Sequence, residues 1–298
     1  MRSVLTFTKR SYSVLSEALG KVPPVELNYD LHEPKVVKHG NPLILLHGIF
    51  GSRNTHRSVG KALANRLSRP VYCPDLRNHG NSPHDSRMDY PALASDVENF
   101  INQHRIQKPI IIGHSMGAKT AMAVPLRNPN LIKMLIAVDN APINVVDTGS
   151  SFTRYISSLK KSLEFYKFKN IKDVDNELAK VEPNQVIRAF LLTNMNRGKA
   201  DEIVTSKIPL DYINNALVAG NISAWPFDSN ETRWSRGPVL FVRGTESNYV
   251  PDEAIPEIGK FFPNFELRDM KTGHWVISEK PNEFIDLVVD FIEKNEEA

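Results

Sequence analysis

Residues 109–119 read PIIIGHSMGAK. The apolar run Ile110-Ile111-Ile112 has no polar alternation, which suits a strand covered on both faces, as in a parallel sheet. It stops at Gly113-His114-Ser115-Met116-Gly117, and a helix follows from Met116. A serine flanked this way at a strand-to-helix junction sits on a sharp, strained turn. The small neighbours keep the backbone clear of adjacent chain, and the turn lifts the hydroxyl above the sheet toward the helix N-terminus. Ser115 is therefore the candidate nucleophile.

The same strand–helix alternation extends outward in both directions. VELNYDL at 25–31 reads as an early edge strand, and PLILLHG at 42–48 as a buried one. A helix over 55–67 carries Val59, Ala62, Leu63 and Leu67 on one face, and RPVYCPDL at 69–76 is a second buried strand. A helix over 91–104 follows, with Leu93, Val97, Phe100 and Ile101 together, and LIKMLIAVDNAP at 131–142 holds the strand after the nucleophile helix. Residues 143–235 break the pattern: no convincing strand, but helical segments at 151–167, 173–180, 184–195 and 209–219. Alternation resumes with strands PVLFVRG at 238–244 and FELRDM at 265–270, and a last amphipathic helix over 282–294. The expected architecture is an α/β core, 21–142 plus 236–298, with a helical cap inserted over 143–235.

Composition narrows the function classes. The 298 residues are 41% hydrophobic and 24% charged, enough for one sizeable core. The net charge of +3 is matched by Arg2, Lys9 and Arg10, with no acid among residues 1–16, so the basic balance does not argue for nucleic-acid binding. MRSVLTFTKRSYSVLS has the Arg- and Ser-containing, acid-free make-up of a mitochondrial presequence, expected over 1–20. The expected location is mitochondrial, in the matrix or associated with the inner membrane. No apolar run is long enough to span a bilayer. The one cysteine, Cys73, permits no intramolecular disulfide and no cysteine-based zinc site, and reads as a buried small hydrophobe. No P-loop, G-x-G-x-x-G or H-E-x-x-H occurs, so neither a metal nor a bound cofactor is expected.

A serine hydroxyl needs a base, and the base needs an acid to orient it. Of the histidines, only His274 lies after the last strand, in TGHWV, where the chain order Ser…acid…His puts the base. His47 and His114 read as structural or oxyanion-side, His79 falls in a turn loop with no chemistry assigned, and the rest read as surface residues. Asp139 stands at the C-terminal end of LIAV, on the strand next to that of Ser115, and is the favoured acid. Glu246, after PVLFVRG, is the second choice, because the position three after Gly244 holds Ser247 rather than an aspartate. The oxyanion donors are expected from the backbone of Met116 and of Ile49 in HGIFGS. Two features carry no assigned role: Pro125, which should kink the nucleophile helix, and the basic stretch 153–169, read as a solvated cap helix rather than a site for a membrane surface or coenzyme A phosphates.

The blocks HGIFGS, DLRNHGNSPH, GHSMGAK, VDNAP, AWPFD and GHWVISEKP together resemble the α/β-hydrolases, in particular the fungal mitochondrial ethanol acetyltransferases and their abhydrolase relatives. The resemblance covers nearly the whole chain after about residue 25. It implies an α/β-hydrolase fold and a triad at Ser115, Asp139 and His274. It also implies acyl transfer with acetyl-CoA as donor substrate and ethanol as acceptor, with thioesterase and esterase side activities when water attacks instead. The substrates are then small molecules: an ester or thioester, and an alcohol or water. A dedicated mitochondrial ester or thioester hydrolase is the alternative within enzymes. A non-catalytic binding protein that keeps the fold is the alternative outside them.

Overall fold

The computed structural model describes residues 20–36, 39–145, 151–197 and 202–296. The presequence expected over 1–20 lies, except for Gly20, outside the described residues. In chain order the strands are β1 (Tyr29–His32), β2 (Leu43–Leu46), β3 (Val71–Pro74), β4 (Ile110–His114), β5 (Met134–Val138), β6 (Met195–Asn196), β7 (Thr205–Ser206), β8 (Val239–Gly244) and β9 (Phe265–Met270). Seven of them form one sheet in the order β1-β3-β2-β4-β5-β8-β9. Only β1 runs antiparallel to its neighbour; the other pairings are parallel.

Helices cover both faces. They are α1 (Arg57–Leu67), α2 (Tyr90–Gln103), α3 (Met116–Arg127), α4 (Ser151–Lys160), α5 (Ile171–Leu178), α6 (Gln185–Leu192), α7 (Leu210–Val218), α8 (Ile255–Phe261), α9 (Val276–Glu279) and α10 (Pro281–Glu296). Alternate residues of a strand point to opposite faces, and the central strands show it. Ile111 of β4 packs with Leu93, Val97 and Phe100 of α2. Ile110 and Ile112 join Leu63 of α1 with Phe284 and Val288 of α10. The sheet is thus a shared wall between two apolar clusters, and β2, β4 and β5 are buried at every position.

Some expectations shift. The early strand lies at 29–32, not 25–31, because the Val25 and Asn28 amides donate to side chains, Asp96 Oδ1 (2.7 Å) and Ser82 Oγ (2.9 Å), instead of a strand neighbour. The segment between β5 and β8 holds α4 to α7, as its spacing indicates, but also the two-residue antiparallel pair β6–β7. Its first helix gives way to a π-helical turn over Lys161–Phe165. Helix α3 runs through Pro125 and ends two residues later. His32 and His56, read as surface residues, are buried: His32 lies against Gly60 of α1, and His56 packs edge-on against His114 with ring centroids 5.7 Å apart.

Candidate active site

Between β4 and α3 the chain reverses at Ser115, whose φ of 57° and ψ of −118° are held against steric cost. The surrounding packing admits no side chain at the two glycines. A Cβ on Gly113 would lie 2.1 Å from the Gly117 carbonyl oxygen, and one on Gly117 2.5 Å from that of Leu46. The Ser115 amide donates to Val138 O on β5 (2.9 Å), which ties the turn to the neighbouring strand.

Asp139 follows the last residue of that strand. It is fully buried and adopts φ 49°, a left-handed conformation that aspartate tolerates better than most residues. Its Oδ1 accepts from the Gly244 amide (3.0 Å), and its Oδ2 from the Ser247 hydroxyl (2.5 Å) and His274 Nδ1 (2.7 Å). The other imidazole nitrogen, Nε2, lies 2.9 Å from Ser115 Oγ. With Nδ1–H donated to the carboxylate, Nε2 is the free base facing the hydroxyl. The structure therefore brings Ser115, His274 and Asp139 into one chain of hydrogen bonds. Glu246 stands apart, exposed, its amide bonded to Thr272 O (2.9 Å).

His274 is held from three sides. The Tyr249 ring stacks on it at 3.9 Å and 18°. His114 Nε2–H donates to its carbonyl (2.8 Å), and Asp139 fixes its tilt. Burial depresses the pKa of His114 to about 4, so it stays a neutral donor.

The loop after β2 brings Gly48 against Ser115; a Cβ there would lie 3.2 Å from the Ser115 Cβ. Ile49 and Met116 both line the cavity at Ser115. Among the described residues neither backbone amide donates within the protein, so both are available to an oxygen bound there. Two buried histidines brace this loop. His47 Nε2 accepts from the Leu76 amide (3.0 Å) while Nδ1–H donates to Gly48 O (2.8 Å). His79 Nε2 accepts from the Phe50 amide (3.1 Å) while Nδ1–H donates to Arg77 O (2.9 Å). Desolvation pushes their pKa values down to about 4 and about 3, which keeps both as neutral acceptors. The sequence left His79 without a role, since its loop reads as a plain turn. Ser247 stands where an aspartate would be expected in the sequence, and only the fold brings its hydroxyl to Asp139.

A cavity of about 520 Å³ opens over Ser115 and His274, walled by Phe152, Tyr155, Phe190, Leu191 and Leu217 from the segment between β5 and β8. Among the described residues, no cluster of three or more His, Cys, Asp or Glu side chains is arranged to hold a metal, and no helix is long and apolar enough to cross a membrane. Cys73 is buried, and burial pushes its thiol pKa up to about 12.

Residues 41–281 match the alpha/beta hydrolase fold family. The chain belongs to the α/β hydrolase fold family. Within that family it is 42% identical to a Saccharomyces cerevisiae protein named "Probable alcohol acetyltransferase", over 93% of this chain and 86% of that one. It is 32% identical to "Ethanol acetyltransferase 1" of Wickerhamomyces anomalus, over 97% of this chain and 80% of that one. Among solved structures, a "Marine microorganism esterase" superposes with a TM-score of 0.79 at 33% identity, covering 90% of this chain and 99% of that one. This α/β hydrolase is an enzyme of acyl transfer or acyl hydrolysis.

Proposed function

We propose that this α/β hydrolase transfers acetyl groups from acetyl-CoA to ethanol through an acetyl-Ser115 intermediate, and cleaves thioesters and esters when water is the acceptor. The observation that carries the reading is the hydrogen-bonded chain Asp139–His274–Ser115 at the floor of a cavity of mixed apolar and polar lining. The names of the two acetyltransferase relatives support an acetyl group and an alcohol acceptor.

In the first half-reaction His274 Nε2 takes the Ser115 proton as Oγ attacks the thioester carbonyl. The carbonyl oxygen becomes an oxyanion beside the Ile49 and Met116 amides, which are already oriented. The C–S bond breaks as His274 gives that proton to the sulfur, so CoA leaves as the thiol and the imidazole is neutral again at the acetyl-Ser115 stage. In the second half-reaction ethanol gives its proton to His274 and attacks the acetyl carbon; the proton returns to Ser115 as ethyl acetate departs. Water entering in place of ethanol yields acetate by the same steps. Asp139 keeps Nδ1–H fixed and stabilises the imidazolium of each transition state.

Residues 1–20 are read as a mitochondrial address, which fusion of that segment to a fluorescent protein tests directly. The activity is tested by incubating the purified protein with acetyl-CoA, with and without ethanol, while free CoA, acetate and ethyl acetate are measured together. Ethyl acetate formed only with ethanol is the expected result. CoA and acetate without any ethyl acetate would remove the transferase reading and leave a hydrolase, the reading that the esterase neighbour favours. No CoA release at all would remove acetyl-CoA as donor, and no hydrolysis of p-nitrophenyl acetate either would remove the hydrolase reading as well.

A further inference from the structure

Helix α3 buries every residue from Met116 to Leu126, and one of them is a lysine. Lys119 lies one turn beyond Ser115, its own amide bonded to Ser115 O (3.2 Å), and its side chain has no exposed surface. Among the described residues no carboxylate pairs with it. Its ammonium instead donates to three backbone carbonyls: Ile143 (2.8 Å), Ser223 (3.0 Å) and Ala224 (3.2 Å). An ammonium has three donors and no acceptor, so the set is filled. The Tyr90 ring lies 5.3 Å from Nζ, and the Tyr90 hydroxyl donates to Ile222 O (2.7 Å).

These carbonyls belong to the two stalks of the inserted segment. Ile143 is where the chain leaves β5, and Ser223–Ala224 is where it returns toward β8. The stalks also bond each other, through Val145 N to Ser223 O (2.9 Å) and Trp225 N to Asn144 Oδ1 (2.6 Å). Val145, Ile222 and Ser223 line the cavity over Ser115. One side chain on the nucleophile's helix therefore meets both ends of the insertion and a wall of the cavity.

We propose that Lys119 is a positioning residue: it pins both stalks of the inserted segment to the helix that carries Ser115 and so sets the wall against which substrate binds. The proposal rests on the acyl-serine reading above, but not on which acyl donor or acceptor is used. It assigns Lys119 no part in proton transfer.

Lys119→Met keeps the apolar stem and removes the donors, leaving three buried carbonyls to find water. The expected result is a KM for p-nitrophenyl acetate raised about tenfold or more, the scale of a lost buried hydrogen-bond set. The kcat stays near that of the wild type, and Ser115 is still labelled by a fluorophosphonate probe. An unchanged KM in the folded variant overturns the proposal, as does a kcat that falls as far as KM rises. A wild type that neither labels nor hydrolyses ester sinks the acyl-serine reading instead.

If Lys119→Met does not fold, hydrogen exchange on the wild type decides. The Val145 and Trp225 amides, which bond stalk to stalk, should be protected on the scale of the β4 and β5 amides. Exchange of those two as fast as in a free peptide overturns the proposal.

Discussion

At Ser115 the chain adopts a φ of 57° that only the surrounding contacts sustain, and the hydroxyl is delivered to His274 Nε2 at 2.9 Å. Ser115→Ala removes the attacking atom while leaving that backbone in place. Ester hydrolysis should fall at least about 10³-fold, with thermal stability within a few degrees of the wild type, since residual rate can come only from binding and the oxyanion donors. A kinetic assay paired with a melting curve checks both halves. Ser247 offers a finer test. Its hydroxyl and His274 Nδ1 share Asp139 Oδ2, so Ser247→Ala takes one of three donors from a buried carboxylate. Hydrogen bonds to charged groups contribute about 1.5–3 kcal/mol, and a tenth of the wild-type kcat/KM or less is the expected outcome. Full activity in Ser247→Ala would show that Asp139 is held well enough by Gly244 and His274 alone.

The elements were legible to different degrees, for physical reasons. Strands β2, β4 and β5 announce themselves because burial on both faces demands an unbroken apolar run. Ser115 and His274 follow strands β4 and β9, where chain order places nucleophile and base, but chain order alone admits Asp139 and Glu246 equally as the acid. Lys119 was opaque, because a lysine on a helix ordinarily marks a solvated face. The carbonyls that accept from it come from segments 24 and about 105 residues away. The same distance hid Ser247 and His79, whose partners lie 108 and 29 residues off. Periodicity reports which face is apolar, not which polar atom will arrive there. Core packing should behave as the pattern indicates. Ile136 of β5 is fully buried among Ile112, Leu240 and Val138, and Ile136→Ala should cost about 2–5 kcal/mol. That loss is read from the urea midpoint at an unchanged slope.

For the molecule as a whole, the histidines set an acid limit. His47, His79 and His114 have pKa values lowered by burial to about 4, about 3 and about 4, and His56 is pushed well below its ordinary value. Unfolded, each takes up a proton near pH 6.5. Between that pH and the native values the unfolded chain binds more protons than the folded one, so stability rises with pH there and falls as the solution is acidified. The contribution is complete above about pH 6.5 and is lost as pH drops toward 4 and then 3. The urea midpoint should therefore decline steadily over pH 6.5 to 4, beginning above the range in which exposed carboxylates titrate. His79→Gln isolates one term. The amide oxygen can still accept from the Phe50 N–H but takes up no proton, so the variant's decline should be shallower than the wild type's. Equal slopes would remove His79 from the account. Because His47 and His79 brace the loop that carries Ile49, the loss should reach catalysis before the sheet melts. The rate of ester hydrolysis should fall at a higher pH than the far-ultraviolet circular dichroism does.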